Sequence, residues 1–350
     1  MRYLINNCTD ACRNMAFDEY VLESLPLDEP VFYLWRNAPS VIIGLNQSAY
    51  AEVNLEYLQK NGIALARRVT GGGAVYHDLQ NLNYTIVGKS RDLNADYPDY
   101  LHFVVNALRE IGVPAGLSGR NDIMVEGRKC SGYAKRVWKD RLMVHGTLMF
   151  DVDLETLREV LSVPGSKMAA SGIASVRSKV ANLREYLPQF CDVLALKDAL
   201  HGILAGADTE VPLDAAQQDA IEKMAEEKFR TWYWIYGKSP EAQFRVVRKF
   251  PCGTVELSWS VRHGLLEDVR FGGDFLGNLP SEGLAARLDG IRFERKTLMD
   301  TLLSLPEPVS AFFDNLSAEE FTGLLFDFKK KRKKTFTPAN FDLYLYPDWL

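Results

Sequence analysis

The feature that most constrains this chain is a run of three glycines at 71–73, with strand-like apolar runs on both sides at 63–66 and 84–87. Glycine accepts positive φ and lets a ligand or another backbone approach closely. Arg67, Arg68 and Thr70 come directly before the glycines, and a guanidinium fork suits phosphate or carboxylate. The segment therefore predicts a site in which backbone N–H groups hold an anion. The competing interpretation is a glycine-rich turn with arginines on the surface.

Two common nucleotide loops are excluded by residue order. A P-loop needs Gly-x4-Gly-Lys-Ser/Thr, which this chain lacks, and a dinucleotide fingerprint needs a third glycine where Tyr76 stands. Composition narrows the class of protein further. With 350 residues, 47% apolar and 25% charged, the chain predicts about two globular domains rather than a disordered or collagen-like protein.

The charge and the cysteines bear on partners and compartment. The net charge of −5 argues against a general nucleic-acid binder, although the tail 329–350 carries +4 and the rest −9. Five irregularly spaced cysteines favour a reducing compartment over a disulfide framework. There is no apolar run of about 18 residues and no signal-peptide core. We therefore expect a cytoplasmic protein without membrane or nucleic-acid partners, and by default a monomer.

The periodicity predicts an α+β chain in two parts. Val31–Trp35 and Val41–Gly44 are predicted as neighbouring strands joined by a turn at Pro39. A break falls near 235–242, after which apolar and polar residues alternate as in a half-buried sheet. The predicted domains are residues 1–238, a smaller α+β domain at 243–328 and a basic, aromatic tail at 329–350.

Three further segments carry polar side chains suited to chemistry. Asn121 and Asp122 open a strand, where a carboxylate could hold magnesium, and Lys129 follows a tight turn, where it could reach an α-phosphate. The second segment is the polar trio His145, Gly146 and Thr147 in an apolar strand, and the third is the basic loop 175–180. Each segment has a plainer explanation: an exposed basic hairpin for 119–136, a structural histidine for His145, and a plain linker for 175–180.

Taken together, these segments resemble lipoate–protein ligases of the two-domain bacterial kind. The resemblance extends over about residues 1–325 and rests on order and spacing. Its residues are Asn14-Met15-Ala16-Phe17-Asp18-Glu19, Leu34-Trp35-Arg36-Asn37, Arg67 to Asp78, Asn81-Leu82-Asn83, Gly119 to Asp122, Lys129-Cys130-Ser131-Gly132, His145-Gly146-Thr147 and Ser175 to Asn182.

The resemblance implies a biotin/lipoate-ligase-like mixed sheet flanked by helices, with a smaller α+β C-terminal domain. It implies an enzyme that uses Mg-ATP to activate lipoate to lipoyl-adenylate and then forms an amide with a lysine of a lipoyl-domain protein. By analogy the acceptors are the acyltransferase subunits of 2-oxoacid dehydrogenases and the glycine-cleavage H protein. The cofactors and substrates implied are ATP, Mg²⁺ and lipoate.

The resemblance also implies roles for individual residues. Lys129 is the implied catalytic lysine, contacting both the acyl carbonyl and the α-phosphate, and Asp122 is the candidate metal ligand. The implied ATP contacts are Arg68, Gly73, Ala74, Val75, Tyr76, Asn121, Asp122, Lys129 and Ser178. The implied lipoate contacts are Trp35, Arg68, Thr70, His77, Lys129, Arg136, His145, Gly146 and Thr147.

Two alternatives fit the same scaffold. One is an ATP-independent octanoyl or lipoyl transferase acting between carrier proteins, and the other is a non-catalytic lipoate-binding protein. The full ATP set and the accessory domain favour the ligase over the transferase, and the presence of Lys129 argues against the non-catalytic protein. Tyr133 stands where members usually carry a small residue or asparagine, which predicts a reshaped pocket beside Lys129.

Overall fold

The computed structural model describes residues 1–90, 96–118, 122–161, 179–205, 210–326 and 329–330. These residues group into two compact units. The N-terminal unit holds the described residues within 1–46, 57–161 and 171–235, and the C-terminal unit holds those within 47–56 and 236–350. No helix among the described residues is long and apolar enough to cross a membrane.

Eleven strands are described in the N-terminal unit. They are β1 Arg2–Leu4, β2 Val31–Trp35, β3 Ser40–Ile43, β4 Ala64–Arg67, β5 Val75–His77, β6 Asn81–Lys89, β7 Ala115–Leu117, β8 Asp122–Val125, β9 Arg128–Trp138, β10 Arg141–Met149 and β11 Glu210–Val211.

Eight of these strands form one mixed sheet in the order β11-β1-β2-β6-β10-β9-β8-β7. β1 pairs in parallel with β2 and β11, and the other neighbours are antiparallel. β9 and β10 form a long hairpin whose turn includes Lys139 at φ +52°. This mixed sheet matches the expected fold class.

β3, β4 and β5 form a separate three-stranded sheet in the order β4-β3-β5. The prediction that Val31–Trp35 and Val41–Gly44 pair with each other is therefore wrong. β2 lies between β1 and β6, while β3 pairs with β4 in parallel and β5 antiparallel. Both runs are apolar because both strands are buried, so composition alone did not separate their sheets.

The helices are distributed over both units. They are α1 Ala11–Glu23, α2 Ala49–Glu52, α3 Leu55–Asn61, α4 Asp96–Glu110, α5 Leu154–Leu161, α6 Val193–Leu204, α7 Ala215–Met224, α8 Ser281–Leu288, α9 Arg295–Leu303, α10 Val309–Phe312 and α11 Ala318–Phe326. Acidic N-caps begin several of them. Asp10 accepts from the Arg13 backbone N–H, and Asp214 with Gln217 forms a capping box at α7.

The two faces of the large sheet are packed differently. One face joins a core that includes apolar residues of α4 and α6, such as Leu108 and Leu196. The other face meets α1, whose Phe17 is buried there with Tyr33 and Trp35. Because successive strand residues face opposite ways, alternate positions of β2, β6 and β10 face α1. It is on this α1 face that the polar side chains gather.

The C-terminal unit is an antiparallel sheet with helices. Its strands are β12 Ala242–Phe250, β13 Gly253–Arg262, β14 Leu265–Gly273 and β15 Lys329–Lys330, in the order β14-β13-β12-β15. Helices α8 to α11 belong to the same unit. The core is rich in aromatic rings, among them Phe244, Trp259, Phe293, Phe313 and Phe321. Of the predicted tail 329–350, residues 331–350 lie outside the described residues.

Candidate active site

The glycine loop connects β4 to β5 of the small sheet and folds around the side chain of Arg68. The Nη2 atom of Arg68 donates to the carbonyls of Gly71 at 2.7 Å and Gly73 at 2.8 Å. Gly72 has φ +95°, which favours glycine. A Cβ at Gly44 would clash with the carbonyl oxygen of Gly72. The loop therefore packs against the buried guanidinium of Arg68 on one side and against Gly44 on the other.

The carbonyl contacts of Arg68 also set the direction of the loop's N–H groups. In a trans peptide, the C=O of one residue and the N–H of the next point in opposite directions. Since Arg68 holds the carbonyls of Gly71 and Gly73, the N–H groups of Gly72 and Ala74 point away from the guanidinium. A pair of N–H groups turned outward in this way is suited to an anion.

Arg67 does not face this loop. Its side chain is fully buried. The guanidinium donates to the backbone carbonyls of Trp234, Ile235, Gly44 and Leu45 at 2.7–3.2 Å. The expectation that both arginines offer forks to a ligand is therefore wrong for Arg67, which fastens residues 234–235 to the end of β4. Burial lowers the pKa of Arg68 to about 10.

Lys129 lies near the start of β9 and pairs with Asp122 at the start of β8, with 2.8 Å between Nζ and Oδ1. Both side chains are less than one-fifth exposed. A Cβ at Gly132 would lie 3.0 Å from Nζ of Lys129, so glycine there leaves room for the lysine. The backbone of Lys129 bonds to Lys179 and Ala181. The predicted contacts Asn121 and Ser178 lie outside the described residues.

Two rows of side chains cross the α1 face of the large sheet. Tyr33, Thr85 and His145 lie opposite one another on β2, β6 and β10, and Trp35, Asn83 and Thr147 form the next row. The second row reaches the strand that carries Lys129, because Thr147 Oγ1 accepts from the Gly132 backbone N–H of β9 at 3.2 Å. The rows bring together residues that are far apart in sequence.

The row containing His145 continues into the glycine loop. His145 Nε2 lies 2.8 Å from Thr70 Oγ1, which accepts from Arg68 Nε at 3.0 Å. On its other side His145 Nδ1 lies 2.6 Å from Asp18 Oδ2. All four side chains are buried. Arg68, Thr70, His145 and Asp18 therefore form one buried hydrogen-bonded chain from the glycine loop to α1.

His77 belongs to a second buried chain. Its Nδ1 lies 3.0 Å from Asn37 Nδ2, and Asn37 Oδ1 accepts from Asn14 Nδ2 at 2.8 Å. The ring packs edge-on to Trp35 with 6.2 Å between centroids. Burial lowers the pKa of His77 to about 3, and the nearby positive charge of Arg68 adds to the effect. His77 is therefore neutral at ordinary pH.

The other predicted lipoate contacts are placed differently. Arg136 pairs with Glu19 and Glu23 of α1 at 3.2 and 2.8 Å. Gly146 belongs to the face opposite His145 and Thr147, where a Cβ would lie 2.5 Å from the hydroxyl of Tyr84. Tyr133 is opposite Gly146 and packs into the core on that face. Its effect on the pocket beside Lys129 therefore stays a prediction.

Asp18, Asn37 and Thr85 were not among the predicted contact residues. The sequence signal for Asp18 is its polarity within a helix that is otherwise largely apolar. In the structure α1 is buried at every position from Asn14 to Glu19, and polar residues buried in this way need partners. The i, i+4 spacing of Asn14 and Asp18 places them on the same helix face. For Thr85 there was no signal, because its role depends on strands that pair across the sheet.

The acidic side chains of the site determine how it could hold magnesium. Within the described parts of the chain, no three His, Cys, Asp or Glu side chains are grouped so that they could hold a metal ion. Mg²⁺ that arrives with substrate phosphates is commonly bound through only one or two carboxylates. The single carboxylate of Asp122, beside Lys129, fits that mode and does not fit an all-protein metal cage.

Comparison with known families accounts for most of the chain. Residues 10–204 match the model of the lipoyl protein ligase A/B catalytic domain, and residues 239–325 match that of the bacterial lipoate protein ligase C-terminus. The chain belongs to the lipoate–protein ligase family. Membership makes it an enzyme of the ligase class, as the sequence resemblance implied.

Two relatives support this lipoate–protein ligase membership over most of their length. The lipoate-protein ligase LplJ of Bacillus subtilis is 35% identical over 329 residues, covering 91% of this chain and 98% of the relative. Lipoate–protein ligase 1 of Staphylococcus aureus is 39% identical over 277 residues, covering 78% and 84% respectively.

Solved lipoate–protein ligase structures agree with the fold. A bi-partite ligase from Thermoplasma acidophilum, described with its E2 lipoyl domain, is 32% identical with a TM-score of 0.61, covering 67% of this chain and 95% of that one. A putative ligase from T. acidophilum with bound lipoic acid is 30% identical with a TM-score of 0.58, covering 67% and 98%. A lipoate-protein ligase A bound with ATP is 31% identical with a TM-score of 0.58, covering 67% and 97%.

Proposed function

We propose that this ligase uses ATP to activate lipoate to lipoyl-AMP, and then transfers the lipoyl group to a lysine of lipoyl-domain proteins. The observation that carries the proposal is the Lys129–Asp122 pair, on the strand that the row of Thr147 contacts at Gly132. The neighbouring row leads through His145 and Thr70 to Arg68 and the glycine loop. One cation, one carboxylate and an anion-binding loop are the parts that adenylation needs.

The first step joins two anions. A carboxylate oxygen of lipoate attacks the α-phosphorus of ATP, and the bond to the leaving pyrophosphate breaks. Lys129 supplies positive charge beside the reacting atoms, and such preorganised charge is worth far more in a partly buried site than in water. The outward N–H groups of the glycine loop are available for phosphate or carboxylate oxygens. Arg68 acts from behind the loop, where it holds the carbonyls of Gly71 and Gly73.

The second step needs no nucleophile from the enzyme. The ε-amino group of the acceptor lysine attacks the lipoyl carbonyl, AMP leaves with the bonding electrons, and the amine loses a proton as the amide forms. Lys129 then stabilises negative charge on the carbonyl oxygen and on the departing phosphate. The acceptors proposed are lipoyl domains of 2-oxoacid dehydrogenase acyltransferases and the glycine-cleavage H protein.

Magnesium bound with ATP would neutralise phosphate charge and fix the geometry of the triphosphate. Asp122 is the residue proposed to hold it. This carboxylate also pairs with Lys129, so the ammonium proposed to meet the α-phosphate lies directly beside the carboxylate that would hold the metal. The nucleotide contacts proposed from the loop are those of Gly73, Ala74, Val75 and Tyr76.

The test is lipoate-dependent exchange of labelled pyrophosphate into ATP without an acceptor protein. We expect wild-type exchange and a loss of about a hundredfold or more in Lys129→Ala, the size typical of removing one electrostatic donor. The matched control is Lys135→Ala, which removes the same charge from an exposed position on β9 and should retain exchange.

Absence of exchange in the wild type would contradict the proposal. It would favour the ATP-independent transferase, and octanoylated or lipoylated carrier protein would then be the donor to test. Exchange that survives in Lys129→Ala would remove the lysine from the adenylation step while leaving the ligase activity in place.

A further inference from the structure

We infer that α1 fixes the two buried histidines of the site in opposite neutral tautomers, His77 with its proton on Nε2 and His145 with its proton on Nδ1, so that Asn14 and Asp18 are positioning residues. Two hydrogen-bonded chains carry this inference, and they begin one helical turn apart on α1. The functional part of the inference rests on the proposed ligase activity. The tautomers themselves do not.

The chain to His77 can be oriented from groups that can only accept. The Nδ2 atom of Asn14 lies 3.0 Å from the backbone carbonyls of both Cys8 and Arg36. Carbonyl oxygens have no proton, so the amide of Asn14 must face them with its NH₂ group. The same NH₂ lies 2.8 Å from the amide of Asn37. Because an NH₂ group cannot accept a hydrogen bond, Asn37 must face it with Oδ1, which fixes the amide of Asn37 as well.

With Oδ1 of Asn37 facing Asn14, its NH₂ group faces His77. Nδ1 of His77 must therefore accept this hydrogen bond at 3.0 Å, and in a neutral imidazole the proton is then on Nε2. Nε2 of His77 is buried and has no hydrogen-bond partner among the described residues. The first chain thus ends in a buried N–H donor that needs an acceptor, and a lipoyl carboxylate or carbonyl oxygen is an acceptor of the required kind.

The chain to His145 starts from the Asp18 carboxylate, which is 1% exposed. Trp35 Nε1 is a donor only and bonds to Thr85 Oγ1 at 2.9 Å, so Thr85 is free to turn its own proton to Asp18 at 3.1 Å. Tyr33 donates to the same oxygen at 2.6 Å, and burial raises the pKa of this phenol well above its usual value. Asp18 therefore accepts on both oxygens, and His145 Nδ1 is a donor to it at 2.6 Å.

The far end of this chain is fixed by Arg68. Its Nε is a donor only and bonds to Thr70 Oγ1, so Thr70 keeps its hydroxyl proton, which it donates to Nε2 of His145 in the tautomer we infer. With His145 neutral, the chain carries one negative charge on Asp18 and one positive charge on Arg68 and is balanced.

The two histidines thus present opposite groups to the site. His77 offers a proton at Nε2, whereas His145 uses its Nε2 lone pair to accept from Thr70. Both tautomers are set by hydrogen-bonded chains that start on α1. Because the hydrogen bonds of Thr70 and Arg68 run in one direction only, reversing His145 would change what the Thr70 hydroxyl can donate to. We therefore assign to one turn of α1, from Asn14 to Asp18, the role of fixing the tautomers of both histidines.

The primary experiment reads the tautomers in the wild-type protein. Long-range ¹H–¹⁵N correlation spectra of ¹⁵N-histidine-labelled full-length chain separate protonated from unprotonated ring nitrogens. The chain has five histidines, and the signals of His77 and His145 are assigned with His77→Gln and His145→Gln. We expect Nε2–H for His77 and Nδ1–H for His145 at pH 7.5. The same tautomer for both, or an imidazolium at either, would overturn the inference.

Two near-isosteric variants then test which residues set the tautomers. Asp18→Asn puts an amide NH₂ within reach of Nδ1 of His145 and should move its proton to Nε2. Asn37→Asp removes the NH₂ donor to His77 and should move that proton to Nδ1. The control is Tyr33→Phe, which removes a donor from Asp18 but keeps the contact to His145 and should leave its tautomer unchanged. If Asp18→Asn leaves His145 protonated at Nδ1, Asp18 does not set it.

The link to function is read from pyrophosphate exchange with the same variants. For Asn37→Asp we expect kcat/KM for lipoate to fall about tenfold, the loss expected for one buried hydrogen bond, with KM for ATP within about twofold. A tautomer that switches without any change in the lipoate kinetics would refute the positioning role. Absence of exchange in the wild type would instead count against the ligase proposal, while the spectra would still decide the tautomers.

Discussion

The two units bury different kinds of side chain. Among described residues, the N-terminal unit buries charged and amide groups, including Asp18, Arg67, Arg68, His77 and His145. The polar residues buried in the C-terminal unit carry only hydroxyl groups: Ser48, Ser239, Ser260 and Thr322. Its core is otherwise apolar, with ring pairs such as Phe313 with Phe271 and Phe275 at 5.0 and 4.7 Å.

Burying a polar group costs free energy unless it is hydrogen-bonded, and burying a charge costs more. The N-terminal unit carries that cost where its chains of hydrogen-bonded side chains lead to the glycine loop and to His77. The C-terminal unit has no such chains in its described part and follows the ordinary rule of an apolar core. The difference indicates which unit is shaped by chemistry and which by packing, and each of the following variants tests it.

The largest loss of stability is expected from Phe313→Ala. Phe313 is fully buried and packs against three aromatic rings, so truncation should cost about 3–5 kcal/mol of unfolding free energy. Urea unfolding measures it, with the exposed Leu303→Ala as the control that should change stability by less than about 0.5 kcal/mol. Equal losses in the two variants would mean that the ring cluster does not stabilise the C-terminal unit.

Arg67→Lys should cost about 2–3 kcal/mol, because a lysine cannot reproduce the planar fork that holds four backbone carbonyls. The loss arises from buried carbonyls left without donors, a mechanism with no counterpart among the buried hydroxyls of the C-terminal unit. The measurement is again urea unfolding at pH 7.5. Arg245→Lys is the control, because Arg245 is 44% exposed in its pair with Glu256; it should be close to neutral.

The buried His77 should make stability depend on pH. Its pKa is about 3 in the folded chain and about 6.5 when unfolded, so above pH 6.5 it is neutral in both states. As pH falls below 6.5, the unfolded chain takes up a proton that the folded chain does not, and stability is lost at up to about 1.4 kcal/mol per pH unit toward pH 3.

Between pH 6.5 and pH 5 this contribution amounts to about 2 kcal/mol. Comparing unfolding free energies at pH 7.5 and pH 5, we expect a smaller drop in His77→Gln than in the wild type. His102 is exposed on α4, and His102→Gln should keep the wild-type drop. An unchanged drop in His77→Gln would show that the ring can be protonated in place.

The smallest effects come from the same substitution made once in each unit. Thr85→Val leaves Trp35 Nε1 without its acceptor and removes one of the three described donors to Asp18, and should cost about 1–2 kcal/mol. Thr322 donates its hydroxyl to the Ala318 carbonyl within α11 and otherwise lies 4.0 Å from the weak acceptor Met299 Sδ, so Thr322→Val should cost under about 0.5 kcal/mol. If the order were reversed, the contrast between the two units would fail.

The sequence predicted the fold class, because the motif set of the family was intact and because the helical and strand periodicities were clear. It did not predict that Val31–Trp35 and Val41–Gly44 enter different sheets, since both runs are apolar and their pairing partners lie far away in the sequence. The direction of Arg67 was likewise invisible, because a guanidinium suits a phosphate and a set of backbone carbonyls equally well.

In the site, Thr70 of the glycine loop contacts His145 of β10, and Thr147 of β10 contacts Gly132, three residues after Lys129 on β9. What could not be predicted is the layer behind them. Asp18 and Asn37 act through contacts with residues 127 and 40 positions away, which depend on register and on the seating of α1. Their polarity on otherwise buried elements was the only local signal.

The contact between Gly44 and Gly72 has a consequence for protein engineering. Since even one added methyl group at position 44 would meet the Gly72 carbonyl, the loop cannot be transplanted as residues 67–78 alone. A graft of this loop into another scaffold must bring the end of β3 with it, and a library that diversifies substrate choice must hold position 44 constant. The smallest portable unit of this anion-binding device is two segments of chain.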